Sequence, residues 1–327
     1  EYDGIYISHI RNEDETFLEA IDDFLKIPAS TGIRSEIYHL KQVGRTNWHK
    51  LDGAIAKIDS ARAAGLQITA DMYNYPASST GLGILMPEWV QEGGFEKWVA
   101  RLKDPAVRKV VGPEIIKTIM RKQGTPEKVL LIGFHTDSLK YLQGKTLAEI
   151  AAMRGKSAEE TVMDLVIDDN SNVSAVFFSM SEDNLRKQIA QPWMMFGSDG
   201  KSMAPEGVFL KSATHPRAYG NFARLLGKYV RDEEVITMEE AVRRLTSLPA
   251  ANMKLDRRGT LMQGYYADIV VFDPANIQDH STFENPHQLS TGMSHVFVNG
   301  VQVLRDGEHT GATPGRVVRG PGYKGNK

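Results

Sequence analysis

A short apolar strand, a polar rim, an amphipathic helix and then another strand recur from the start of this chain, and that order restricts the fold more than any other feature. GIYISHI, residues 4–10, reads as a buried strand ending in Arg11, Asn12 and Glu13. A helix from about Asp14 to Ile27 follows, with Phe17, Leu18, Ile21, Phe24 and Leu25 at helical spacing. SEIYHL, residues 35–40, is the next strand and ends in His39 and Lys41. The helix from about Lys50 to Ala64 carries Leu51, Ile55, Ile58 and Ala61 on one face and stops at Gly65. QITADMY, residues 67–73, is a third strand. Strands joined through helices in this order form βα units on a parallel sheet. Each strand ends in polar or ionisable residues, as at the catalytic rim of a barrel.

The rhythm breaks between Pro76 and about Thr125, where Gly81, Gly83, Pro87, Gly93 and Gly94 fall between helical patterns. A strand at Val129–Phe134 and helices at Thr146–Arg154 and Ala158–Asp168 complete an insertion of about residues 81–169, placed over the site as a lid. The barrel is expected to resume with a strand at Val173–Met180, a helix at Glu182–Ala190 and a last strand at Trp193–Phe196. Helices at Tyr219–Val230 and Met238–Leu245 follow, the second ending near a turn at Ser247. From Arg257 the texture changes to short β segments around Gly259–Leu261, Ala267–Asp273 and His295–Val301, with an Asn299-Gly300 hairpin signal. The division is therefore a barrel over 1–256, a small β domain over 257–310 and a Gly-rich basic tail over 311–327, expected to be poorly ordered.

Composition narrows the function. The 39 Lys and Arg nearly balance 41 Asp and Glu, so no basic field collects nucleic acid or an anionic membrane. With no cysteine, disulfides and thiolate metal sites are excluded within the chain, which fits a cytoplasmic enzyme. No apolar run approaches the ~18 residues of a membrane span. The chain opens at Glu1, without Met, almost directly into a core strand, and further sequence is expected upstream.

The chemistry gathers after the last strand. Trp193–Phe196 breaks at Gly197 and Asp199 follows at once. A carboxylate at the mouth of a buried strand is costly unless paired, metal-bound or reactive; its structural alternative is a helix cap or turn residue. Amide hydrolysis needs a nucleophilic water, a polarised carbonyl and an acid for the leaving amine. A metal ion supplies the first two, and a carboxylate that takes the water proton can return it to nitrogen, the role that suits Asp199. His39 and Lys41, two apart, share one face of a strand end. His39 is a candidate zinc ligand against a hydrogen-bonded core histidine, and His9 sits similarly on the first strand. Arg11 and Lys41, otherwise solvated charges, would suit a substrate carboxylate. Tyr6, three before His9, faces the opposite side of an ideal strand. His215-Pro216-Arg217 lines the pocket or forms a structural loop. His135 and the remaining histidines receive no role.

With these residues in view, the chain resembles the N-acyl-D-amino-acid deacylase (D-aminoacylase) branch of the metal-dependent amidohydrolases. The resemblance rests on GIYISHIRNE, EIYHLK, ITADMYNYPASST, GSDG, THPRAYGNFARLLGKYVR, RRLTSLPAANMKLDRRG and GYYADIVVFDP, spread over nearly the whole chain. It implies an α/β fold of the TIM-type (β/α)8 class, of which this chain holds roughly the last five strands, with an insertion and part of a small β-sandwich. It implies one or two zinc ions and hydrolysis of an N-acyl-D-amino acid, with metal-bound hydroxide as nucleophile. By position, His39 would be a metal ligand and Asp199 the proton shuttle. Lys41, with Tyr6 and Arg11, would hold the substrate α-carboxylate, and His215 would line the pocket. The family's His-x-His pair and metal-binding Cys have no counterpart here, and these further ligands are expected upstream. No nucleic acid or membrane partner is expected. The alternatives are a cyclic-amide hydrolase of the dihydroorotase or hydantoinase type, and a non-catalytic part that needs upstream sequence.

Overall fold

A computed structural model describes residues 2–323 and 325. The first half of the strand–helix alternation is present: β1 (Ile5–Ser8), α1 (Phe17–Thr31), β2 (Arg34–Ile37), α2 (Leu51–Ala63) and β3 (Ile68–Met72). After β4 (Ser78–Gly81) come α3 (Glu88–Gln91), α4 (Phe95–Lys103), α5 (Pro105–Lys122), β5 (Val129–Gly133), β6 (Lys145–Thr146), α6 (Leu147–Arg154), α7 (Ala158–Asp168) and β7 (Ser174–Phe177). Then α8 (Glu182–Ile189) leads to β8 (Met194–Phe196). α9 (Arg217–Arg224) continues into a π-helical turn at Leu225–Asp232, followed by α10 (Met238–Leu245) and α11 (Ser247–Asn252). The chain finishes with β9 (Ile269–Phe272), β10 (Met293–Val298), β11 (Val301–Arg305) and β12 (Glu308–His309).

Among the described residues these strands make three four-stranded sheets. The first, in the order β1-β2-β3-β8, is wholly parallel, with Ile5 opposite Arg34, Ser35 opposite Ile68 and Ala70 opposite Met194. All residues of β3 are buried, as expected of a strand covered on both faces. α1 turns Phe17, Ala20, Ile21 and Phe24 onto this sheet, where they join Ile37, Leu51, Ile58, Ile68 and Trp193 in one core.

The second sheet, β4-β7-β5-β6, is antiparallel and belongs to the insertion. This corrects the expectation that Val173–Met180 resumes the barrel: Ser174–Phe177 pairs with β4 and β5 instead. An apolar run reads alike in either sheet, and only the pairing partner distinguishes them. The strands from β4 to β7 thus share one sheet, which includes residues on both sides of 81–169. It has its own core of Val111, Ile115, Leu131, Leu147, Val162 and Phe177 among others. α5 and α6 start on side-chain caps: Asp104 accepts from Ala106 N at 2.8 Å ahead of Pro105, and Thr146 with Glu149 forms a reciprocal capping box.

The C-terminal sheet, β12-β11-β10-β9, is antiparallel. Its β10–β11 hairpin turns at Asn299 (φ 51°) and Gly300 (φ 81°), the two positive-φ positions of a tight primed turn. The β segment expected near Gly259 is instead a turn, and Ser247 opens α11 rather than a turn. Residues 311–323 carry no helix or strand; Lys324, Asn326 and Lys327 of the tail lie outside the described residues.

Phe17 is fully buried against the parallel sheet. Phe17→Ala should cost about 3–5 kcal/mol through lost transfer energy and a residual cavity. Urea unfolding would check this; a loss under about 1 kcal/mol would show that the α1 contact does not hold this core.

Candidate functional site

The site is built where β1, β2 and β8 end. Past β2, Tyr38 N donates to Ser8 O (3.0 Å) and His39 N donates to Asp71 Oδ1 (2.9 Å). Leu40 N donates to the Asp71 carbonyl at 2.8 Å. Asp71 thus fixes two successive amides as the chain leaves the sheet. Between them His39 adopts φ 38°, a left-handed conformation that is uncommon outside glycine and tolerated best by Asn, Asp and His. This turns its ring toward the end of β1. His39 Nε2 lies 3.2 Å from His9 Nδ1, with the rings edge to face at a centroid separation of 4.7 Å.

Beneath the two rings lies a buried ion pair. Lys41 Nζ is 2.5 Å from Glu13 Oε1 and 2.7 Å from His39 Nδ1. Glu13 Oε1 is also 3.3 Å from His39 Nδ1 and 3.4 Å from His9 Nδ1. Burial pushes the Glu13 carboxyl up, but Lys41 and His39 more than offset it and hold the group below the usual carboxylate range. Burial lowers Lys41 from the usual lysine value, against the pull of Glu13. Burial likewise lowers His9, and its neighbours His39 and Lys41 act in the same direction.

Asp199 follows β8, also in a left-handed conformation (φ 45°). Its Oδ2 is 2.9 Å from Arg217 Nη2. Arg217 is buried, with its guanidinium 4.4 Å from the Tyr73 ring centroid. His215 holds that arginine's backbone: Arg217 N donates to His215 Nδ1 (3.0 Å), leaving Nε2–H for the Ala77 carbonyl (3.0 Å). Burial drives the His215 pKa down to about 3, so the ring stays neutral. Asn221 on α9 donates to the Gly197 carbonyl at 3.0 Å and ties the Asp199 loop to the helix.

These groups share a cavity of about 620 Å³ between the ends of the parallel strands and the insertion. His9, His39, Lys41, Tyr73, Asp199 and Arg217 lie on one side. The insertion supplies the other, including Ile84, Met86 and Arg121. Of the residues expected from sequence, His39, Lys41, Asp199 and Arg11 line it. Arg11 is mostly exposed and pairs with Asp23 at 3.4 Å. Tyr6 and His215 do not line it: the Tyr6 ring stacks on Phe24 in the core at 5.4 Å, and both ring nitrogens of His215 have protein partners. Glu13 and Tyr73 are the participants that sequence spacing left without this role, while Arg217 lines the cavity as one of the two readings of His215-Pro216-Arg217 had it. Glu13 had one usable signal, its place four residues after His9.

The donor set suits zinc. His9, Glu13 and His39 each offer one ligand atom, and these atoms lie within 4.8 Å of one another. Two zinc–nitrogen bonds of about 2.0–2.1 Å at a tetrahedral angle separate the nitrogens by roughly 3.3 Å. The observed separation of Nδ1 and Nε2, 3.2 Å, matches that span.

A second cavity of about 560 Å³ adjoins Asp199 and is lined by Glu36, Tyr38, Asp71, Met195 and Met253 among others. Burial, with Asp71 beside it, raises the Glu36 carboxyl to about 8. Burial raises Asp71 in the same direction. A carboxyl whose folded pKa is raised binds its proton more tightly when folded. Its contribution is therefore complete below about pH 4.5 and is lost as pH rises toward about 8. Glu36→Gln should remove much of the fall in stability across that window, measurable as the melting temperature against pH. An unchanged slope would show that Glu36 is not the group responsible.

Comparison with known proteins gives the arrangement a context. The Amidohydrolase family model matches residues 86–304. An N-acyl-D-glutamate deacylase of Alcaligenes xylosoxydans xylosoxydans is 34% identical over 97% of this chain and 54% of its own length. A D-aminoacylase of the same organism is 32% identical over 96% of this chain and 54% of its own. The chain thus spans about half the length of the curated relatives it matches. Among solved structures, the N-acyl-D-glutamate deacylase of Bordetella bronchiseptica, complexed with zinc and a phosphonate mimic of the tetrahedral intermediate, superposes with a TM-score of 0.72 at 31% identity, covering 91% of this chain and 52% of that one. A D-aminoacylase described as defining a novel subset of amidohydrolases superposes at 0.74 and 32% identity, covering 96% of this chain and 56% of that one.

Proposed function

The chain belongs to the amidohydrolase family, and we propose that it serves the zinc-dependent hydrolysis of N-acyl-D-amino acids to a carboxylate and a free D-amino acid. The observation that carries this reading is the shared cavity, in which two imidazole nitrogens 3.2 Å apart face a site that also holds a carboxylate and two buried cations. The relatives named above, deacylases of N-acyl-D-amino acids, support the same substrate class. Residues 1–256 belong on this reading to a barrel of the (β/α)8 type, with the parallel sheet as part of its wall, and 257–310 to the small β domain. The absence of cysteine accords with a cytoplasmic setting.

His9 and His39 would hold the metal. A zinc ion held there would supply a bound water of lowered pKa and polarisation of the acyl carbonyl. Asp199 is the proton carrier: it accepts a proton from the attacking water and delivers it to the leaving nitrogen, so that the amine departs neutral. Its left-handed backbone points the carboxylate into the cavity, and Arg217 orients it at 2.9 Å. Lys41 and Arg217 provide positive charge for the substrate α-carboxylate, and the Tyr73 ring under Arg217 keeps that guanidinium in place. The half-buried Tyr6 ring stacks on Phe24 outside the lining of this cavity.

The test is amine release from matched N-acetyl-D- and N-acetyl-L-amino acids, with zinc and with chelator, by this chain and by a version extended upstream. Release should require zinc and favour the D series; no release from either series by the extended version rules the deacylase out and favours cyclic amides. Asp199→Asn should lower kcat by about 10²–10⁴-fold. Lys41→Ala should raise KM for N-acyl amino acids by about 10–100-fold, the loss of one charge-assisted contact.

A further inference from the structure

Both nitrogens of His39 are committed, and to different kinds of partner. Nε2 faces His9 Nδ1. Nδ1 faces two groups, Lys41 Nζ at 2.7 Å and Glu13 Oε1 at 3.3 Å. An imidazole that gives the Nε2 lone pair to a metal carries its proton on Nδ1, and that proton needs an acceptor. A lysine ammonium has donors only. Of the two groups at Nδ1, Glu13 Oε1 alone can accept.

We infer that Glu13 is a positioning residue for the metal: its Oε1 accepts the Nδ1–H of His39 and so fixes the ring with Nε2 turned toward His9. The inference rests on the metal reading of the preceding section. Glu13 is well placed for the task. Its main chain is anchored, since Val43 N donates to the Glu13 carbonyl at 2.8 Å. Lys41 lies 2.5 Å from the same Oε1, which keeps the oxygen ionised and aimed at the ring. In this structure the ammonium also donates to His39 Nδ1 at 2.7 Å; with the proton on Nδ1 those two donors oppose each other, so the ammonium's hydrogen bond goes to Oε1 alone and that one oxygen receives both it and the imidazole proton. A carboxylate in this position also makes the ring a stronger donor to the metal.

The competing account is that Glu13 is only the counter-ion of buried Lys41. Two variants of the chain extended upstream separate the accounts, Glu13→Gln and the double substitution Lys41→Met with Glu13→Gln. Zinc affinity would be measured by competition with a chromophoric chelator, ligand geometry by the absorption spectrum of the Co(II)-loaded chain, and folding by thermal unfolding without metal. Glu13→Gln should weaken zinc binding by about 10–100-fold while the Co(II) band positions stay as in the unsubstituted chain. The double variant, which removes both buried charges, should stay weakened. Recovery of the original affinity in the double variant would reduce Glu13 to a counter-ion and overturn the inference, as would unchanged affinity in Glu13→Gln. Displaced Co(II) bands would make Glu13 a ligand in its own right and overturn it too. Failure of the unsubstituted chain to bind zinc even when extended upstream, where the further ligands are expected, would be a different result, overturning the metal reading and this inference together.

Discussion

Lys41 can keep a charge beneath the cavity only because Glu13 answers it. Withdrawing an ammonium and a carboxylate from water costs several kcal/mol per ion, and removing one partner of such a pair typically costs about 3–5 kcal/mol because the other is left buried and unpaired. The 2.5 Å contact therefore does more than satisfy two side chains. Lys41 follows β2 and Glu13 follows β1, so the pair ties together the ends of two neighbouring parallel strands. His9 and His39 ride on those same strand ends. The spacing between their facing nitrogens is thus inherited from a buried ion pair below them rather than from the rings themselves.

Backbone strain is also present in the same place. His39 and Asp199 are non-glycine residues in left-handed conformations, each of which costs of order 1–3 kcal/mol. Both sit one to three residues past a parallel strand, where the chain must turn and aim a side chain back over the sheet. Asp71 stabilises the first of these turns through its side-chain and main-chain oxygens, and Asn221 braces the loop that leads to the second. The strain is held by fixed hydrogen bonds from β3, which is buried throughout, and from the buried Asn221 of α9.

Local spacing made much of this legible. The alternation of β1, α1, β2, α2 and β3 follows directly from apolar periodicity, and His39, Lys41 and Asp199 stand out as polar residues just past apolar runs. Strand parity was also informative: Tyr6, three before His9, belongs on the opposite face, and it packs there against Phe24 despite the binding role that family resemblance lends it. Glu13 was less visible because it lies in an irregular loop with no periodicity to mark its direction. Arg217 and Tyr73 meet across a sequence separation that spacing cannot bridge. β7 was assigned to the wrong sheet for a related reason. An apolar run reports that a strand is buried, while its neighbour is decided by long-range pairing.

The insertion is fixed to the site by the residue next to Glu13. Asp14 is buried, and its Oδ2 lies 2.6 Å from Arg121 Nη1 and 3.3 Å from Lys122 Nζ at the end of α5. Its Oδ1 accepts from Asn47 Nδ2 at 2.7 Å and packs against Gly44, where a Cβ would come within 2.9 Å of that oxygen. With φ at 88°, position 44 admits glycine on both counts. Two adjacent carboxylates therefore answer cations from two different layers. Glu13 takes the lysine of the parallel sheet, and Asp14 takes the arginine and lysine of the insertion. Arg121 and Lys122 line the cavity, yet their charge is spent on this attachment. Lys41 and Arg217, which also line it, are answered in the same way by Glu13 and Asp199, so the loop between β1 and α1 carries the two carboxylates that hold one cation of the sheet and two of the opposite wall at fixed distance.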